Sequence, residues 1–169
     1  NEGSEIRWDL KFNDEGLALK HFPSLLYHLP FPKTKLTAPR FRTTLSGEWS
    51  VGGESWKLDR VPAHQAHFWG TEQATSWTWG HCDQFAEDPT ACFEGLTAQV
   101  RIGPRQSPPL FLFFFIWKGE LYSFNSPASW FRNKSASHLD RWHFEAASSQ
   151  KLFVGDLRAE PAEMLTLRY

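Results

Sequence analysis

Residues 5–12 alternate. On an extended backbone Ile6, Trp8, Leu10 and Phe12 fall on one side and Glu5, Arg7, Asp9 and Lys11 on the other, which predicts a half-buried strand. The stretch 21–39 carries Pro23, Pro30, Pro32 and Pro39, which deny it a long helix and a central strand and predict a long connection folded over the end of a sheet or barrel. Residues 41–51 and 55–61 flank Gly52 and Gly53, a pair that tolerates positive φ and so predicts a tight hairpin. Residues 93–102 set Leu96, Ala98, Val100 and Ile102 on one face before Gly103 and Pro104 interrupt the pattern. A second hairpin is predicted from residues 110–117 and 120–125 around Lys118 and Gly119. Residues 126–140 read as a loop, and residues 141–146, 151–158 and 164–169 as further short strands. No segment longer than about ten residues sustains a 3.6-residue apolar period. The predicted class is therefore all-β and antiparallel, with about eight to ten strands.

Strand count alone does not separate a sandwich from a barrel. Closure would remove the sheet edges and enclose a volume that side chains can line. Composition sharpens the picture: 9 Trp and 15 Phe stand against 1 Met and 3 Tyr in 169 residues. Such an excess fits a rigid aromatic lining around a cavity, and it equally fits bulky packing in a small β domain. The length suits a single domain. With 18 basic and 19 acidic residues the chain lacks the electrostatic footprint of a nucleic-acid binder. The eight-residue run 110–117 is far shorter than the roughly 20 residues a membrane-crossing helix needs, so it reads as a buried strand. The first residues show no basic segment followed by an apolar one, so no signal peptide is visible, as would also hold for a processed or trimmed end. Cys82 and Cys92 do not establish a disulfide framework, although one bridge between them stays open. The closing residues 165–169 are extended without a terminating turn, which suggests a trimmed domain or a last strand that pairs elsewhere.

Chemistry concentrates between residues 64 and 85. That tract holds His64, His67 and His81, Trp69, Trp77 and Trp79, with Glu72, Asp83 and Cys82. On a strand, Trp77, Trp79, His81 and Asp83 share one large, polar-tipped face, and Ser76, Thr78, Gly80 and Cys82 share a small one. A metal site is disfavoured because the spacings match no recurrent zinc pattern and His64 and His67 point to opposite faces; no cofactor is expected. A Ser or Cys nucleophile is disfavoured because His81 and Cys82 face opposite ways and no G-x-S-x-G turn is present. General acid chemistry fits better. A carboxyl group walled by indoles is harder to ionise and so better placed to donate a proton. Glu72 and Asp83 are the candidate acids, with His81 as a third proton-handling group. His67, Trp69, Trp77, Trp79 and Phe85 are the candidate ligand walls, the indoles also being able to stabilise a carbocation through their ring faces.

The runs Gly-Glu-Trp-Ser-Val-Gly-Gly at 47–53, His-Phe-Trp-Gly at 67–70 and Ser-Trp-Thr-Trp-Gly-His-Cys-Asp-Gln-Phe at 76–85 resemble the lipocalin-like superfamily of tocopherol cyclase and carotenoid 1,2-hydratase. Trp142, His143 and Phe144 and the stretch 151–169 are compatible with its later strands, so about half the chain takes part. The resemblance implies an antiparallel calycin-type β-barrel around an apolar cavity, and ligands of isoprenoid, lipid or polyketide character. It spans proton-initiated cyclases, alkene hydratases, Diels-Alder cyclases and carriers without chemistry, so fold does not decide activity. The family builds two barrel-like halves over roughly twice this length, which would make the chain one half of that architecture. The expected function is hydrophobic-ligand binding, with a cyclase or hydratase as the alternative. The expected partner is a hydrophobic small molecule, not nucleic acid or a bilayer interior, and an incomplete barrel edge would offer a route to self-association.

Overall fold

The structure is a computed structural model that describes residues 5–13, 16–130 and 132–166. Its strands are β1 (Ile6–Phe12), β2 (Leu19–Lys20), β3 (Thr34–Val51), β4 (Glu54–Gly70), β5 (Ser76–Cys82), β6 (Cys92–Gln99), β7 (Arg101–Ile102), β8 (Arg105–Gln106), β9 (Leu110–Trp117), β10 (Glu120–Ser123), β11 (Lys134–Ser137), β12 (Arg141–Ala147) and β13 (Leu152–Arg158), with one short helix, α1 (Pro127–Trp130). Every pairing is antiparallel, so the chain is all-β. Among the described residues no sheet closes on itself, and the strand count exceeds the expected range because β2, β7 and β8 are two-residue pairings. No helix among them is long and apolar enough to cross a membrane. The chain forms two compact units, Asn1–Thr71 and Glu72–Tyr169.

The first unit is one sheet built around the long hairpin β3–β4, with β1 and β2 on the other edge of β3. Its turn is the predicted Gly52–Gly53, both glycines at positive φ (60° and 91°), which joins Val51 to Glu54 with the twist that neighbouring strands require. Pro39 lies inside β3, against the expectation that the prolines exclude a central strand. The register between β3 and β4 breaks between Thr37 and Arg40, so the missing N–H falls at a bulge, where no ladder bond is lost. Alternation along β1 is real, yet the strand is not half-buried: Trp8 is 69 % exposed and Ile6 57 %. Among its described residues the unit has a single sheet, and these supply no second layer at its distal end to cover Trp8, Trp49 and Trp56, which lie in register across three strands. At the other end Leu36, Ala38 and Phe41 are buried, and the connection carries a single 3-10 turn, Ser24–Tyr27.

The second unit packs two sheets face to face. Sheet β10-β9-β6-β5 turns Phe93, Phe111 and Phe113 toward Trp142 and Phe144 of sheet β11-β12-β13, with Phe153 and Leu157 packed against the cluster. The rings interlock: Phe144 stacks 4.7 Å from Phe113 and 5.0 Å from Phe93, and Phe115 lies 4.4 Å from Phe153. Glycine makes room for them, since Gly155 pairs with Phe144 and Gly95 with Phe113 across the strands, leaving space for each ring over its partner. The second predicted hairpin forms as expected around Lys118 and Gly119. Residues 126–140 are more ordered than the loop predicted there. Ser126 caps α1 by accepting the Ser129 N–H, Pro127 opens the helix, and Asn133 ties the segment down by donating to the Phe124 carbonyl and accepting from the Ala147 N–H. Residues 164–166 are not a strand and follow a 3-10 turn, Pro161–Glu163; the rest of the strand expected there, 167–169, lies outside the described residues. Cys82 pairs with Phe93 and shares its inward face, whereas Cys92 lies on the outward face, so no bridge joins the two thiols.

Candidate functional site

The tract 64–85 covers the end of β4, a connection and β5, and each unit holds part of it. In the first unit the His64 Nδ1–H donates to the Phe41 carbonyl at 3.0 Å, with its ring edge-on to Phe41. His67 stacks on Trp69 at 4.8 Å, and Trp69 stacks on Tyr27 at 6.1 Å. This row of rings is held in place. The Tyr27 hydroxyl donates to the Leu36 carbonyl at 2.6 Å and accepts the Phe22 N–H at 3.3 Å. Burial pushes the Tyr27 hydroxyl above the ordinary tyrosine pKa, opposed by its backbone hydrogen bonds to Phe22 and His21. Lys35, the cross-strand partner of Trp69, is buried and donates to the carbonyls of Leu26, Leu29 and Pro32, clamping the connection behind the rings.

In the second unit β5 behaves as its alternation predicts. Trp77, Trp79 and His81 share the face turned away from the aromatic core, while Gly80 lies against Leu157 and Trp142. The indoles are about half exposed, Trp77 at 52 % and Trp79 at 49 %. Register with β6 sets Trp77 opposite Ala98, Trp79 opposite Leu96 and His81 opposite Glu94. Glu94 is fully buried, and its carboxyl accepts the Trp79 indole N–H at 3.3 Å. Burying a carboxyl is costly without such donors. His81 Nε2 lies 3.9 Å from Cys92 Sγ, one diagonal step along β6, and the His81 ring is nearly parallel to Trp79 at 6.4 Å. A flat indole surface, a carboxyl group, an imidazole and a thiol thus share one face of one sheet.

The other expected site residues are dispersed. Asp83 follows the last residue of β5 and is half-buried; Glu72 is exposed in the connection between β4 and β5. Phe85 packs edge-on against Phe115 at 5.7 Å, on the aromatic core and not on the Trp77–Trp79 face. Glu94 and Tyr27 escaped the sequence reading, which weighed Cys92 only for a bridge to Cys82 and not as a neighbour of His81. Glu94 left a signal, being the lone charge in the otherwise apolar or neutral run Cys92–Gln99. Comparison of the chain with family models, curated proteins and solved structures finds no match.

Proposed function

We propose that this chain binds a hydrophobic small molecule of isoprenoid, lipid or polyketide character on the Trp77–Trp79 face of β5, in a lipocalin-like β-barrel setting of the tocopherol cyclase and carotenoid hydratase kind. The observation that carries the reading is the half exposure of both indoles in a unit whose core is built chiefly of Phe. Large apolar rings left in contact with solvent beside a few fixed polar groups are the usual composition of a ligand surface. Bulges along β3–β4, which bend and twist a sheet, support the barrel part of the proposal. Titration with geranylgeraniol should quench tryptophan emission, and Trp77→Ala with Trp79→Ala should abolish the saturable part of that quenching. An unchanged titration in the double variant removes the site.

A second reading is favoured by the Trp79–Glu94 hydrogen bond and the pairing of His81 with Glu94. A carboxyl group there would give its proton to an alkene carbon, forming a carbocation that water captures in a hydratase or an internal nucleophile captures in a cyclase, after which the proton lost from the adduct restores the acid. Trp77 and Trp79 would face the cation. Incubation with geranylgeraniol followed by gas chromatography with mass spectrometry separates the readings: a water adduct or a cyclised isomer of different retention that Glu94→Gln no longer forms supports the enzyme, and recovery of unchanged alcohol leaves the binding role.

A further inference from the structure

A separate groove opens at one end of the second unit, where β9 and β10 diverge from the start of β13. It has a volume of about 460 Å³ and is lined by Phe115, Trp117, Tyr122, Phe124, Leu152 and Phe153, with Lys151. That volume falls in the range of roughly 300–1,000 Å³ usual for small-molecule sites. Lys151 is the one charged residue of the lining. Its ammonium is held over the Tyr122 ring at 3.9 Å from the centroid and pairs with Glu120 at 3.4 Å. The Tyr122 side chain also draws on it, and an ammonium has three N–H donors, so these two partners leave a third donor for the groove. We propose that this groove binds a hydrophobic carboxylate, its chain or ring system against the aromatic walls and its carboxylate on Lys151.

Charge complementarity selects this occupant. A neutral lipophile would fill the walls and gain nothing from the charge of Lys151, and a lipophilic cation would meet Lys151 as a like charge. Glu120 is the built-in competitor. The Tyr122 hydroxyl donates to the Glu120 carboxyl and, as the largest influence, holds it below the ordinary carboxylate pKa, so it is ionised wherever a fatty acid is. Lys151 and Glu120 therefore act with opposite signs on a bound carboxylate. This site lies apart from the Trp77–Trp79 face and does not rest on the function proposed for it.

Calorimetric titration of the intact chain with dodecanoate and with dodecanol, below their aggregation limits, reads the inference directly. Dodecanoate should bind roughly fivefold more tightly than dodecanol, the worth of a partly exposed ion pair. Lys151→Gln should erase that preference with dodecanol affinity unchanged, and Glu120→Gln should widen it. Both side chains are substantially exposed, so the variants should keep the fold, as circular dichroism will check. Equal affinities for the two compounds, no binding of either, or a preference that survives Lys151→Gln overturns the inference. A preference lost in Trp77→Ala with Trp79→Ala but kept in Lys151→Gln also overturns it, while leaving the function proposed for that face intact.

Discussion

Gly155→Ala tests whether the space between the two sheets of the second unit is filled. A Cβ built on Gly155 would lie 2.2 Å from Cζ of Phe144, where carbon atoms at rest sit roughly 3.5–4.0 Å apart. The ring cannot swing clear cheaply, because Phe144 is 1 % exposed and is stacked on Phe93 and Phe113. Overpacking of this kind costs about 1–3 kcal/mol. Against it stands a gain of about 0.4–1 kcal/mol from the less flexible unfolded chain. The balance is a destabilisation of about 1–2 kcal/mol, or roughly 2–4 °C in Tm for each kcal/mol in a chain of this size. Gly80→Ala is the milder comparison: its nearest contacts are the end of the Leu157 side chain at 3.0 Å, a group that can rotate, and the edge of the Trp142 ring at 3.2 Å, so it should cost less than Gly155→Ala. Equilibrium urea unfolding followed by circular dichroism and tryptophan emission measures both. A Gly155→Ala protein as stable as the parent, or more so, would mean that Phe144 has room to move and that a hollow exists between these sheets, refuting the filled core.

Asp156 accepts hydrogen bonds from Arg141 and Arg158, and these hold its carboxyl far below the usual aspartate range. Because the folded-state pKa is depressed, the stabilisation is complete above the ordinary aspartate value of about 3.9 and is lost as pH falls through the folded value, so Asp156→Asn should flatten the acid side of a stability profile below about pH 4. Lys35→Met should cost roughly 1–3 kcal/mol by leaving the carbonyls of Leu26, Leu29 and Pro32 without their ammonium, seen in urea unfolding; a neutral result would show that water replaces it. Alkylation in denaturant without reductant should label both Cys82 and Cys92, and a mass short of two adducts would contradict their placement on opposite faces.

Elements written in neighbouring residues were legible. The Gly52–Gly53 and Lys118–Gly119 turns and the alternation through Trp142 and Phe144 needed no partner to be read. So was the one-sided disposition of Trp77, Trp79 and His81, which follows from a period of two. Burial was not legible for β1, because alternation states which side chains share a face and leaves open whether anything covers it. Ser126 and Pro127 carried a helix start that the polar composition around them obscured. Glu94 and Cys92 join His81 only through the β5–β6 register, and a shift of one residue would have put them on the opposite face. The acids chosen by sequence proximity, Glu72 and Asp83, stand in a connection and just beyond a strand end, where nearness along the chain says little about nearness in space.

The aromatic excess, first read as one population, is two. Phe supplies most of the buried rings, Phe41, Phe93, Phe111, Phe113, Phe114, Phe124 and Phe144, while Trp8, Trp49, Trp56, Trp69, Trp77 and Trp79 are exposed. The difference is chemical. Phe brings no polar atom to satisfy, whereas a buried indole must find an acceptor, as Trp142 does in Ser135 Oγ at 2.8 Å. If the exposed indoles serve a ligand and not the core, truncation should separate the groups: Phe144→Ala should cost about 3–5 kcal/mol, and Trp77→Ala, which gives up only part of a buried ring and no donor to Glu94, about 1–2 kcal/mol. Equal costs in urea unfolding would make Trp77 a packing residue, and the case for a ligand on its face would then have to stand on Trp79 alone.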